Sequence, residues 1–177
     1  MKKFKCILIV FLMFIVIYFL QINFFTWFNI AGIMPNLFIV LVLFIGLFIG
    51  KKMGAVFGLL FGIILDLLLG KTIGFSGILL AVIGLMGEYF DKNFSKDSRI
   101  MIVLMSVGST LVYEIGMYIV NVVKLGINIE IFDFLFNLLI ENIFNILIIL
   151  IFYPAMKKLG YYLEEKYKGR RFLTRYF

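Results

Sequence analysis

Three carboxylates, Asp66, Glu114 and Glu141, stand inside otherwise apolar stretches of this sequence. An ionisable group in such a setting costs several kcal/mol unless it finds partners or water, so each marks a place where the chain must do something specific. The chemistry open to them is narrow. The chain contains no histidine, which removes the commonest general base, proton switch and zinc ligand. Its one cysteine, Cys6, has no partner for a disulfide or a thiolate pair. A glycine-rich stretch lacks the Gly-Lys-Ser/Thr ending of a phosphate loop, and no nucleophile stands beside a base. These residues argue against an enzyme, and neither a cofactor nor a metal is expected. What remains is a hydrogen-bonded carboxylate network, contacts to a partner helix, or a cation pathway, with the network favoured.

The polar company of these residues falls at helical spacing. Ser106, Thr110, Glu114 and Tyr118 form one i, i+4 row, and Asn137, Glu141 and Asn145 form another, so each row shares a helix face. With Asn36 and Asp66 they make an expected intramembrane polar cluster of Asn36, Asp66, Glu114, Tyr118, Asn137, Glu141 and Asn145, turned toward protein and away from lipid.

The elements that must position this cluster are marked by glycines. Gly46, Gly50, Gly54, Gly58 and Gly62 recur every fourth residue, Asp66 takes the next place, and Gly70 and Gly74 follow. In hydrocarbon, burying apolar side chains against one another gains little, so close backbone approach through small residues at i and i+4 becomes a main source of association. Gly50, Gly54, Gly58, Gly62, Asp66, Gly70 and Gly74 are therefore expected to form a helix-packing face, within the chain or toward a partner helix. Gly58 and Gly62 should tolerate bulk less well than Gly160.

Composition supplies the solvent for these helices. The chain is 64% hydrophobic and 15% charged over 177 residues, with a mean hydropathy of +1.13, which a water-soluble domain of this size rarely shows. Apolar runs at about 6–28, 33–49, 53–69, 73–89, 100–123 and 131–153 each approach the roughly 20 residues needed to cross about 30 Å of hydrocarbon. Pro154 closes the last, and 154–177 is a basic, aromatic tail suited to the headgroup region. The first run is too long for a signal peptide and has no small-residue cleavage site. The expectation is an all-α membrane protein with one domain over 1–177, a bundle of six transmembrane helices. The net charge of +7 does not point to nucleic acid, because the basic residues flank apolar runs. With both termini in the cytoplasm, all but Lys71 and Lys124 of the 17 lysines and arginines fall on the inner side, as the positive-inside rule requires.

The segments Pro35-Asn36-Leu37, Gly58-Leu59-Leu60-Phe61-Gly62-Ile63-Ile64-Leu65-Asp66-Leu67-Leu68 and Gly70-Lys71-Thr72-Ile73-Gly74, together with length and helix count, resemble the rod shape-determining protein MreD family. The resemblance implies a non-enzymatic scaffold in the bacterial cytoplasmic membrane, part of the cell-elongation (rod) complex. Such a protein pairs with MreC, and through that pair MreB filaments are linked to RodA and the elongation transpeptidase in lateral peptidoglycan synthesis. The quoted motifs lie before Gly87, so no family role passes to Glu114 or Glu141. A second class, the substrate-binding S component of an energy-coupling-factor transporter, is similar in size and helix count, and Asn36, Asp66, Glu114 and Tyr118 keep it open. Against it, 6–28 contains no alanine for an Ala-x-x-x-Ala docking row, and the segments 31–35 and 123–130 are short for loops that cap a ligand.

Overall fold

The stretch Leu37–Phe48 reads Leu-Phe-Ile-Val-Leu-Val-Leu-Phe-Ile-Gly-Leu-Phe, with no polar face at any rotation, and a helix apolar all round belongs inside other helices. The computed structural model, which describes residues 2–69, 73–93, 97–126 and 130–168, places it there: all of its residues are buried. The described residues are helical, in the order α1 (Lys2–Phe19), a π-helical turn (Leu20–Phe24), α2 (Leu37–Phe48), α3 (Lys51–Leu68), α4 (Phe75–Asn93), α5 (Arg99–Leu125) and α6 (Ile131–Lys168). The one β feature among them is an isolated bridge between Ile30 and Ile33.

This arrangement changes the role expected for 33–49. With 12 residues, α2 is about 18 Å long at about 1.5 Å per residue, well short of the hydrocarbon thickness. It is an internal axis with the other helices packed round it, α4 and α3 most extensively and α6, α5 and α1 on the remaining sides. Side chains from its neighbours finish its ends. The Gln21 amide donates to the Pro35 carbonyl at 2.6 Å and accepts from the Leu37 amide at 3.3 Å. At the other end the Phe48 ring meets Tyr161 edge-on at 5.4 Å.

Of the remaining helices, α1 with its π-helical turn, α5 and α6 are long and apolar enough to cross a membrane. α3 and α4 have 18 and 19 residues, about 27 Å each. The chain is an all-helical membrane protein. Local signals set the bounds of α5: Ser98 caps its start by accepting from the Met101 amide at 3.5 Å, and Gly126 ends it in the left-handed conformation.

The last helix departs from expectation, since it continues through Pro154 to Lys168. An interior proline forfeits one backbone hydrogen bond and crowds the preceding turn, at a cost of about 3 kcal/mol. Anchors on both sides offset that cost. Asp97, just before α5, accepts from the Tyr153 hydroxyl at 2.5 Å through its carbonyl, and its carboxylate takes Lys157 at 2.7 Å and the Tyr161 hydroxyl at 2.9 Å. Further along, the Cys6 thiol of α1 lies 4.0 Å from the Leu163 carbonyl.

The six crossings with both termini inside that the sequence leads one to expect are open to a test by reporter fusions. A fusion after Lys168 should report the cytoplasm, as should one before α1. An external signal from the former alone would require an odd number of crossings and remove the six-helix topology.

Candidate functional site

The glycine face of α3 begins at a turn that only glycine enters easily: Gly50 has φ of +119°. It turns the chain from α2 into α3, and the Lys51 amide that follows donates to Glu88 Oε2 of α4 at 2.7 Å. Three successive glycines then meet α4 backbone. A Cβ on Gly54 would lie 2.6 Å from the Gly84 carbonyl oxygen and one on Gly58 would lie 2.5 Å from that of Leu80, while one on Gly62 would collide with Gly77. The collisions are mutual, since a Cβ on Gly84 would strike Gly54. α2 joins through Gly46, against which a Cβ on Gly87 would come within 2.7 Å. The α3 face is thus covered by α4 of the same chain, with α2 drawn into the same close approach. Gly70 lies outside the described residues.

The α4 glycines Gly77, Gly84 and Gly87 were missed by the sequence reading. Their spacing of seven and three keeps them on one helix face, but it breaks the fourfold rhythm that makes α3 conspicuous.

Asp66 closes the far end of this seam. Its side chain is buried, and Oδ2 accepts from the amides of Gly74 at 2.8 Å and Ser76 at 3.2 Å. Ser76 supplies one of the first amides of α4 and Gly74 immediately precedes that helix, so neither amide has a partner within it. The position is favourable for a second reason: the partial positive charge of the α4 N-terminus attracts the carboxylate, although the C-terminal end of α3, its own helix, opposes it. Gly74 itself has φ of +98°, a turn conformation that favours glycine. From the other side, the buried Tyr113 hydroxyl of α5 donates to Ser76 Oγ at 3.2 Å. Asp66, Ser76 and Tyr113 therefore tie α3, α4 and α5 together. Asp66 Oδ1 is buried with no hydrogen-bond partner among the described residues.

A second polar group sits between α2, α5 and α6. Asn145 Oδ1 accepts from the Asn36 amide at 3.0 Å, and its Nδ2 donates to Thr110 Oγ1 at 3.0 Å. One buried amide side chain thereby fixes the start of α2 against both long helices.

The seven residues expected to cluster have different immediate partners, although Asp66, Glu114 and Glu141 all lie near enough to Tyr113 to act on it electrostatically. Asn36 and Asn145 come together, whereas Asp66 belongs to the α4 terminus. The Tyr118 ring packs on Phe134 at 4.5 Å. Glu114 and Glu141 lie on facing turns of the antiparallel α5 and α6, bracketed by the Thr110–Asn145 bond on one side and the Tyr118–Phe134 contact on the other. Asn137 is exposed, as are Ile131, Phe132, Leu135 and Phe136 beside it, because they share the outer face of the first two turns of α6 while Phe134 faces α5. Sequence reading also passed over Gln21, Ser76 and Tyr113, whose types are common in loops and helices and whose partners are remote in the chain. Among the described residues no three Cys, Asp or Glu side chains gather closely enough to hold a metal ion.

The arrangement can hold helices in register by backbone contact and by hydrogen bonds that cross from helix to helix. A family model described as rod shape-determining protein MreD matches residues 1–162 of the chain. No curated protein and no solved structure matches it.

Proposed function

The chain belongs to the rod shape-determining protein MreD family, and from that premise we propose that it is a non-enzymatic scaffold that pairs with MreC in the bacterial cytoplasmic membrane. Through that pair it would connect MreB filaments on the inner side with RodA and the elongation transpeptidase on the outer side, and so support lateral peptidoglycan synthesis. The observation that carries this reading is the extent of the family match, which takes in every helix except the end of α6. The role in determining rod shape comes with the family. The pairing is the proposal.

Two structural features support a scaffold. Much of the polar chemistry described above is spent on fixing helices to one another, as at Asp66 and Asn145. The small-residue face of α3 is occupied by α4, so a partner helix would find its contacts on the outer surfaces of the bundle.

Solubilising the native complex from membranes in mild detergent and identifying what accompanies the tagged chain tests the proposal. A bitopic MreC protein should co-purify in near-equal amount. Recovery of an ATPase module in its place would overturn the scaffold reading and favour a transporter component.

A further inference from the structure

A cleft of about 340 Å³ runs between α1, α2 and α6. Met13 and Ile17 of α1 form one wall and Ile148 and Phe152 of α6 the other, with Val40 and Phe44 of α2 as the floor. Every residue that lines it is Met, Ile, Leu, Val or Phe. α1 and α6 come together beyond one end, at Cys6 and Leu163, and Phe24 and Phe25 of the π-helical turn and its flank stand at the other. We propose that this cleft is a binding site for one phospholipid acyl chain, which enters sideways from the bilayer and is recognised by its hydrocarbon and not by its headgroup.

The lining selects among occupants. An apolar space of this kind holds no ordered water, because water needs polar partners there. A partner's transmembrane helix is also a poor match. Membrane helices approach through small residues and polar side chains, and the lining has neither. A flexible chain of methylenes fits, and it restores the dispersion contacts that the lining atoms lose when one side is empty.

The cleft is continuous with the surface that meets lipid. Phe24 and Phe152 line it while remaining 49% and 51% exposed, and the apolar windows of α1 and α6 are only 11% and 17% buried in the bundle. A lipid tail therefore has an open route from the bilayer to α2. The floor differs from that surface, since Val40 and Phe44 are buried, and bulk lipid does not touch them. No charged side chain lines the cleft, so headgroup charge should not matter.

The full chain in phosphatidylcholine vesicles containing a diazirine-bearing acyl chain provides the test, with adducts mapped by peptide mass spectrometry after irradiation. Adducts should appear on Val40 or Phe44, about tenfold above those on Ile83, a buried α4 residue outside the cleft that close packing screens from lipid. Ile17→Trp, which fills the mouth, should remove the α2 adducts but leave those on exposed Ile151, and Val16→Trp on the lipid-facing side should leave both. Phosphatidylglycerol carrying the same chain should label α2 equally. The inference fails if α2 is labelled no more than Ile83, or if Ile17→Trp leaves α2 labelling intact. It also fails if α2 is labelled after reconstitution but shielded in native membranes, because a protein helix would then be the occupant.

Discussion

Replacing Gly62 or Gly84 with leucine should leave little folded protein in the membrane, while Gly108→Leu should accumulate close to the wild-type level. At Gly62 and Gly84 the first atom of a side chain would collide with Gly77 and Gly54 backbone, so no rotamer change makes room and two helices must separate. Packed interiors resist such expansion, and overpacking by even a few atoms costs about 1–3 kcal/mol. Four added carbons against fixed backbone should exceed that range. Gly108 on α5 has nothing within 4 Å of its Cβ position, and exchanging a helical glycine for leucine there should gain several tenths of a kcal/mol in propensity.

Gly160, expected from the sequence to tolerate bulk better than Gly58 and Gly62, is nevertheless not free of contact. Its Cβ position is 2.7 Å from the Phe48 ring. A ring can turn where a backbone cannot, so Gly160→Leu should fall between the two groups. Membrane levels by immunoblot and thermal midpoints in detergent read the order directly. If Gly62→Leu, Gly84→Leu and Gly108→Leu accumulate and melt alike, the α3–α4 seam does not hold the bundle together.

What could be read in the sequence was set by what repeats. The α3 glycines recur every fourth residue, so their common face was visible without a structure, whereas Gly77, Gly84 and Gly87 on the covering helix follow no single interval. The apolar runs located all six helices, yet hydropathy could not separate a helix surrounded by lipid from one surrounded by protein. Leu37–Phe48 is apolar all round, as a bilayer span also is, and only its length of 12 residues sets it apart. Pro154 was read as a terminator because proline ends most helices. The side chains that let α6 continue, Tyr153, Lys157 and Tyr161, share a face directed to Asp97, more than fifty residues earlier. Pairings of that kind, like Asn145 with Thr110 and Asn36, depend on which helices are neighbours, and no local pattern records it.

The substitution of Asp66 should separate a hydrogen-bonding anchor from a required charge. Asp66 Oδ2 holds two amides at the start of α4, where no intrahelical carbonyl can replace it. Asp66→Asn keeps a carbonyl oxygen of the same reach. It exchanges two charge-assisted bonds of roughly 1.5–3 kcal/mol each for neutral ones of roughly 0.5–1.5 each, so the loss should be about 1–1.5 kcal/mol per bond and about 2–3 kcal/mol in all. The new Nδ2 would take the place of Oδ1, an atom already without a hydrogen bond among the described residues. Asp66→Leu keeps the bulk but leaves the buried Ser76 amide bare, at about 1–3 kcal/mol, and removes the partner of the half-buried Gly74 amide as well. It also releases Ser76, and with it the Tyr113 contact that ties in α5. Asn should therefore lower the melting midpoint by a few degrees and retain rod shape and MreC co-purification, whereas Leu should lose all three. The opposite result is informative. If Asp66→Asn reaches the membrane at normal levels and melts normally, yet fails in rod shape as badly as Asp66→Leu, geometry has been preserved and only the negative charge removed. The function of Asp66 would then reside in its charge, and its part in fixing α4 would be incidental.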